Sequence, residues 1–459
     1  MSFVHAETSD RRQPVGVIVA VACVGVLCGL LSVRSAGVLA AVVSTVVAVF
    51  GLLAITRGLC SSEGTATLRR LTAWTLGAFA FHAAIGLLIW NSSRLTAYFG
   101  GDALTYQYGA VGLLQHWTSG AAMPALPTGK KGFFYLLAGI YWLLGVHPAA
   151  GIVVDGALAA AVVPVLYDAT RRLYGPAAAR YVPAISTLLP GFLLWGSQLL
   201  REAGVYLLIA VCINCAARLR ERVTLGPLVI LPTAAALLVT WRADVGLLVA
   251  GGLVIGLALG GSGRMGTRLA GFGAGALVLA LVLGAGLGYG GYHFVTHANL
   301  AQLNDIRASS SQGASSGFLP NSNISTPAHA AGYLPLGATY FLLGPFPWQI
   351  HGFRQLFGVP DSLAWWFLLP SLWRGVKSTW QSQRSGVLLL VFPAVALAAV
   401  LSLLVANFGT TVRERMQVIV VLIPLVALGW SLRPRRSKGS SAPGEAAPEP
   451  LQSEVQTLG

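Results

Sequence analysis

Apolar runs of about 20 residues recur from Pro14 to Trp430, and each is long enough to cross a hydrocarbon layer of roughly 30 Å as a helix. No water-soluble fold of this length hides so much apolar surface. Composition agrees: 55% of the 459 residues are hydrophobic and 10% are charged, against about 25% charged in an ordinary soluble chain. The fold class this predicts is an all-α polytopic membrane protein with about twelve transmembrane helices, eleven to fourteen at the limits.

The charge pattern threads the chain. The formal net charge of +15 does not point to nucleic acid, because the basic residues sit in short clusters between apolar runs and form no continuous face. Lys and Arg concentrate on the cytoplasmic side of membrane proteins, so Arg11 and Arg12 are placed inside. The predicted spans are then 15–33, 36–56, 71–91, 148–169, 178–198, 203–219, 225–241, 245–263, 269–292, 356–373, 386–406 and 416–432. With this threading twenty of the thirty basic residues fall in inward loops, Arg171, Arg172, Arg218, Arg220 and Arg222 among them, and both termini are cytoplasmic.

The apolar stretches 132–146 and 333–348 would invert every later cluster if they crossed, so they are read as interfacial helices in the first and last large outward loops. The predicted organisation is a cytoplasmic N-terminus at 1–14, one transmembrane domain at 15–432 with outward loops 91–147 and 293–360, and a disordered cytoplasmic tail at 433–459 rich in Ser, Pro, Gly and Glu. No internal repeat stands out. Cys212 and Cys215 lie in mid-helix with no His nearby and read as packing residues.

In a chain so poor in acids the carboxylates carry information, since charge near hydrocarbon costs several kcal/mol unless paired or hydrated. Asp102, Glu202, Asp244, Asp305, Asp361 and Glu414 fall on the outward side, and Asp155 is the one acid read as clearly buried in a span. Asp102 follows Gly100 and Gly101 and precedes a stretch with helical spacing, so it is also a natural N-cap. Arg201 and Glu202 sit in a short outward turn and read either as an exposed pair or as part of a site. Trp241, Arg242 and Asp244 repeat that layout. Arg307, Arg413 and Arg415 are outward arginines whose forked donors suit a phosphate, though those at 413 and 415 also fit as interface anchors. His293 and His297 are spaced for a metal if helical, but with no acid at a fitting interval they read as loop or interface histidines.

Taken together, Asp102 with Tyr106 and Ala110 in the first outward loop, the segment Gly132 to Gly145, the Arg171 to Gly175 span end, the Pro190 to Glu202 segment and the late Arg413 to Arg415 near Pro424 resemble the GT-C superfamily of polyprenyl-phosphate-dependent membrane glycosyltransferases, especially bacterial members similar to family 39. The resemblance implies a cell-membrane enzyme that moves a sugar from a polyprenyl-phosphate donor to a lipid, glycan or protein acceptor on the outer face, with inversion. Asp102 would be the catalytic base and Glu202 a second acid of the site. Tyr106, Arg201, Arg242, Asp244, Arg307, Arg413 and Arg415 would contact substrate. The family often carries two adjacent acids where this chain has Asp102 alone, so no cofactor is assigned and a divalent metal ion stays open. A polysaccharide polymerase or ligase of the O-antigen type, and a transporter or flippase of lipid-linked sugars, are the alternative readings.

Overall fold

The computed structural model describes residues 37–127, 129–260, 273, 299–312, 316–350, 352–356 and 358–433. The predicted spans 15–33 and 269–292, the tail beyond 433, and His293 and His297 lie outside the described residues. What is described is helical, apart from an isolated β-bridge between Gly317 and Asn407. Among the described residues five helices are long and apolar enough to cross a bilayer: α1 (Val38–Cys60), α2 (Thr65–Asn91), α6 (Pro148–Tyr174), α10 (Glu202–Glu221) and α17 (Arg384–Leu404). This is the composition of a multi-pass membrane protein.

The remaining helices fill in around them. Two outlying ones, α3 (Ser93–Phe99) and α4 (Gly101–Ser119), follow α2, and α5 (Lys131–Leu144) precedes α6. Further on, α11 (Leu225–Trp241) and α12 (Ala243–Gly260) form a pair behind α10. Next come α13 (Leu300–Gln312), α14 (Pro327–Leu343) and α15 (Phe353–Leu356), then α16 (Val359–Thr379), α17 and α18 (Phe408–Ser431). At the centre lies α6, packed on α1, α2 and α10 and buried along most of its length.

One expected span is not a single helix. Residues 178–198 are instead broken into α7 (Pro176–Ala179), α8 (Val182–Leu188) and α9 (Pro190–Trp195), followed by a buried bend over 196–200. Proline is the cause: the ring of Pro190 disfavours helical backbone in the residue before it, and Leu189 is extended at ψ 119°. Non-helical backbone buried at this depth needs internal partners. Here the Leu200 amide donates to the Gln198 carbonyl at 2.6 Å, and Ser197 Oγ lies 2.9 Å from Nδ1 of the fully buried His82.

Lipid is as apolar as leucine, so helices in a membrane associate through close packing at small residues. Gly252 and Gly256, one turn apart on α12, face α17 so closely that a Cβ would come within 2.4 Å of the Pro393 Cα and 2.8 Å of the Leu389 Cα. The pair α16 and α18 uses the same device: a Cβ on Gly429 would sit 1.7 Å from the Ser371 carbonyl oxygen, and one on Gly375 would sit 2.1 Å from that of Leu425.

Charge gathers at the two ends of this bundle. At one end the fully buried Asp168 accepts from Arg171 at 2.7 Å, Arg172 at 3.0 Å, Arg218 at 2.6 Å and Asn214 at 3.0 Å, while Glu63 pairs with Arg171 and Glu221 with Arg172. Asp155 is therefore not the one acid buried in a span, because Asp168 shares its helix and is spent on three arginines. The other end carries Asp102, Glu202, Arg242 and Arg413. Since α10 begins at Glu202 and carries Arg218 in its last turn, the helix separates the two clusters by about 24 Å, most of one hydrocarbon thickness.

Candidate functional site

The site forms where four helix ends meet. Gly100 occupies the N-cap of α4 with no side-chain cap, and Asp102 falls in the first helical turn. The carboxylate is thus not used as a cap. It points instead to Arg413, whose Nη1 donates to Oδ2 at 2.6 Å, and its side chain remains 60% exposed. Burial alone would raise its pKa. The charge and hydrogen bond of Arg413, backed by Lys130 and Arg201, outweigh burial and hold the carboxyl below its usual value.

Arg413 is the shared node. Its Nε lies 3.4 Å from Glu202 Oε1, its guanidinium sits 5.8 Å from the centre of the Trp195 ring, and its backbone carbonyl accepts from the Tyr206 hydroxyl at 3.0 Å. Glu202 is 1% exposed and Arg201 5%, so these two are not the surface pair that their turn suggested. Arg201 reaches Glu202 at 3.8 Å and the Trp241 carbonyl at 3.3 Å. This leaves a chain of alternating charge that runs Asp102, Arg413, Glu202, Arg201.

A second chain lies alongside. Arg242 caps the end of α11, pairs with Glu414, and lies 3.5 Å from Asp244. Trp241 is seated by two glycines, because a Cβ at Gly204 would meet its ring at 1.9 Å and one at Gly132 would meet it at 2.4 Å. Those contacts bring α5, α10 and α11 together beside the buried Arg242, which like Asp244 does not line the cavity next to Asp102.

Tyr106, one turn after Asp102, is buried edge-on against Phe133 at 5.0 Å and beside Phe134 at 4.9 Å. Burial pushes its phenol up to about 12. Its visible work is to hold α4 on α5.

Two of the expected arginines go elsewhere. Arg415 is wholly buried, donating to the Gly344 carbonyl at 2.5 Å and to Ser362 Oγ at 3.2 Å and pairing with Asp361, which also accepts from the Gly191 amide at 3.0 Å. Arg307 is equally buried, donating to the Leu319 and Ser322 carbonyls and to the Tyr333 hydroxyl at 2.8 Å, with its guanidinium over the Tyr333 ring. Both brace loops, and neither joins Asp102.

A cavity of about 350 Å³ opens beside the first charge chain, within the range of small-ligand sites. Asp102 and Arg413 form part of its wall, with Tyr98, Trp195, Asn407 and Phe408. The first turn of α18 faces the same space, and helix N-termini favour anions. Asn407 closes that turn by accepting from the Thr410 amide at 2.8 Å.

Sequence reasoning passed over one member of this set. Gly129, at φ +74°, lies against Ala243, and the following Lys130 feels the charges of both chains. Burial lowers the Lys130 pKa, and the positive charges of Arg201, Arg242 and Arg413 lower it further. The signal available in the sequence was the Gly129–Lys130 step after a proline-rich loop. Among the described residues no group of three or more His, Cys, Asp or Glu side chains converges as a metal site. The two acids nearest the cavity both engage Arg413. Compared with models of known families and with curated proteins, the chain finds no match.

Proposed function

We propose that this chain is a membrane glycosyltransferase of the GT-C type, which moves a sugar from a polyprenyl-phosphate donor to a lipid, glycan or protein acceptor with Asp102 as the base. The observation that carries the reading is the exposed Asp102 carboxylate on the wall of a cavity it shares with Arg413. By the excess of basic residues around Asp168, that end faces the cytoplasm and the cavity faces outward.

The chemistry is a substitution at the anomeric carbon. An acceptor hydroxyl oxygen attacks that carbon while Asp102 takes its proton. A new carbon–oxygen bond forms, the bond to the phosphate oxygen breaks, and its electron pair leaves on the phosphate. Arg413, Lys130 and the α18 N-terminus supply positive charge where that negative charge grows. Attack opposite the leaving group inverts the centre. Tyr98 and Trp195 offer aromatic faces to a sugar ring, and Thr410 offers a hydroxyl. The flippase reading gains little from the buried Asp168, which is occupied by three arginines.

The test is transfer of labelled sugar from polyprenyl-phosphate donors in reconstituted membranes. Asp102→Asn is expected to lower the rate by about 10²- to 10⁴-fold with unchanged expression and folding. Full activity in that variant would overturn the assignment of the base.

A further inference from the structure

We infer that Arg413 is a substrate-operated latch: in the free protein it occupies Asp102, and the phosphate of the incoming donor draws it away and so releases the base. This inference rests on the transferase reading and adds to it the order of events. Three features of the geometry carry it.

First, Arg413 has one attachment suited to staying and one suited to leaving. Its Nε faces Glu202, which is 1% exposed at the start of α10, whereas its Nη1 reaches Asp102, whose side chain is 60% exposed on the cavity wall. The backbone beneath is held by Tyr206, and Trp195 lies beside the guanidinium. A rotation about the Glu202 contact moves Nη1 without moving α18.

Second, Asp102 and Arg413 line the same cavity, so an anion entering it meets Arg413 from the side that Asp102 occupies. An ion pair open to water is weak. A phosphate brings more charge and several acceptor oxygens to a guanidinium fork, which makes it the stronger partner.

Third, the pair as it stands is unsuited to chemistry, because a carboxylate bonded to a guanidinium is a poor proton acceptor. The other charged groups facing Asp102 are Lys130 from the turn before α5 and Arg201 from the turn before α10, with Tyr106 on its own helix and Glu202 beyond Arg413. All three cations lower the carboxyl pKa, and a bound phosphate counters each of them. The release therefore couples basicity to occupancy: the base works only when a leaving group is present.

The experiment titrates Asp102 by infrared difference spectroscopy on the full chain in lipid nanodiscs, using Asp102→Asn to assign the carboxyl band and farnesyl phosphate as the probe. The titration midpoint is expected to rise by about one to two pH units when the probe binds. In Arg413→Gln without probe it should already be raised, with a smaller further rise on binding than in the wild type, since only Lys130 and Arg201 remain to be countered. Arg413→Lys keeps the charge and should keep the low midpoint, which guards against a merely misfolded glutamine variant. Bands of bound phosphate with an unmoved Asp102 midpoint would overturn the latch and leave the transferase reading standing. An absence of any bound-phosphate band would count against the lipid-phosphate reading itself and remove the latch with it.

Discussion

Arg413 and Arg415 are two positions apart on one helix, hence about 200° apart around it, and that rotation separates a cavity-lining side chain from a wholly buried one. Arg413 reaches the cavity, Glu414 turns toward Arg242, and Arg415 is buried against Asp361. Removing one partner of a buried ion pair costs about 3–5 kcal/mol because the other is left unpaired. Arg415→Met is therefore expected to lower stability by that order in denaturant titrations of the micelle-bound protein. Arg413→Gln should cost less, because Glu202 keeps Arg201 and Asp102 keeps water. Equal losses would mean that the two arginines are both structural. Nothing in the sequence tells them apart, since both sit at the same mouth of the same apolar run. What decides is which helix packs on each side. The same holds for Arg307, which read as a phosphate ligand and instead closes a loop through three backbone and hydroxyl oxygens.

The helices themselves are far more legible. Long apolar runs gave α1, α2, α6, α10 and α17 within a few residues, because the length of such a run is set by the bilayer and not by any partner. Where a run is apolar but contains proline, length misleads: 178–198 satisfies the hydropathy of a span, yet Pro183 and Pro190 divide it. That break shapes the charged end of the bundle. A continuous helix would leave no buried bend at 196–200 to present Arg201 and Glu202 to Arg413. Packing between helices leaves a second testable mark. Gly429→Ala places a methyl against the Ser371 carbonyl, where there is no flexible side chain to give way, and overpacking of this kind costs about 1–3 kcal/mol. Gly226→Ala, on α11 with open space around it, should be neutral or stabilising by up to about 1 kcal/mol. Thermal unfolding of the two variants in the same detergent reads the difference, and matched midpoints would argue against the α16–α18 contact.

At the scale of the whole molecule, the organising fact is the distance between two charged ends. The Asp168 cluster draws its arginines from α6 and α10, and the Asp102 cluster draws its members from the ends of α4, α10, α11 and α18. About 24 Å of helix separates them. The sequence showed this polarity through the placement of its arginines, but not the pairing that brings residue 102 to residue 413 across more than 300 positions of chain. Everything said of the reaction assumes that the second end meets water outside the cell. Gly101 offers a direct probe: it is exposed, adjoins Asp102, and has open space where a side chain would be added. Labelling Gly101→Cys with a membrane-impermeant maleimide on intact cells should modify it from the exterior, and polyprenyl phosphate should slow the reaction. Modification only after the membrane is opened would place the cavity on the cytoplasmic side and contradict the account.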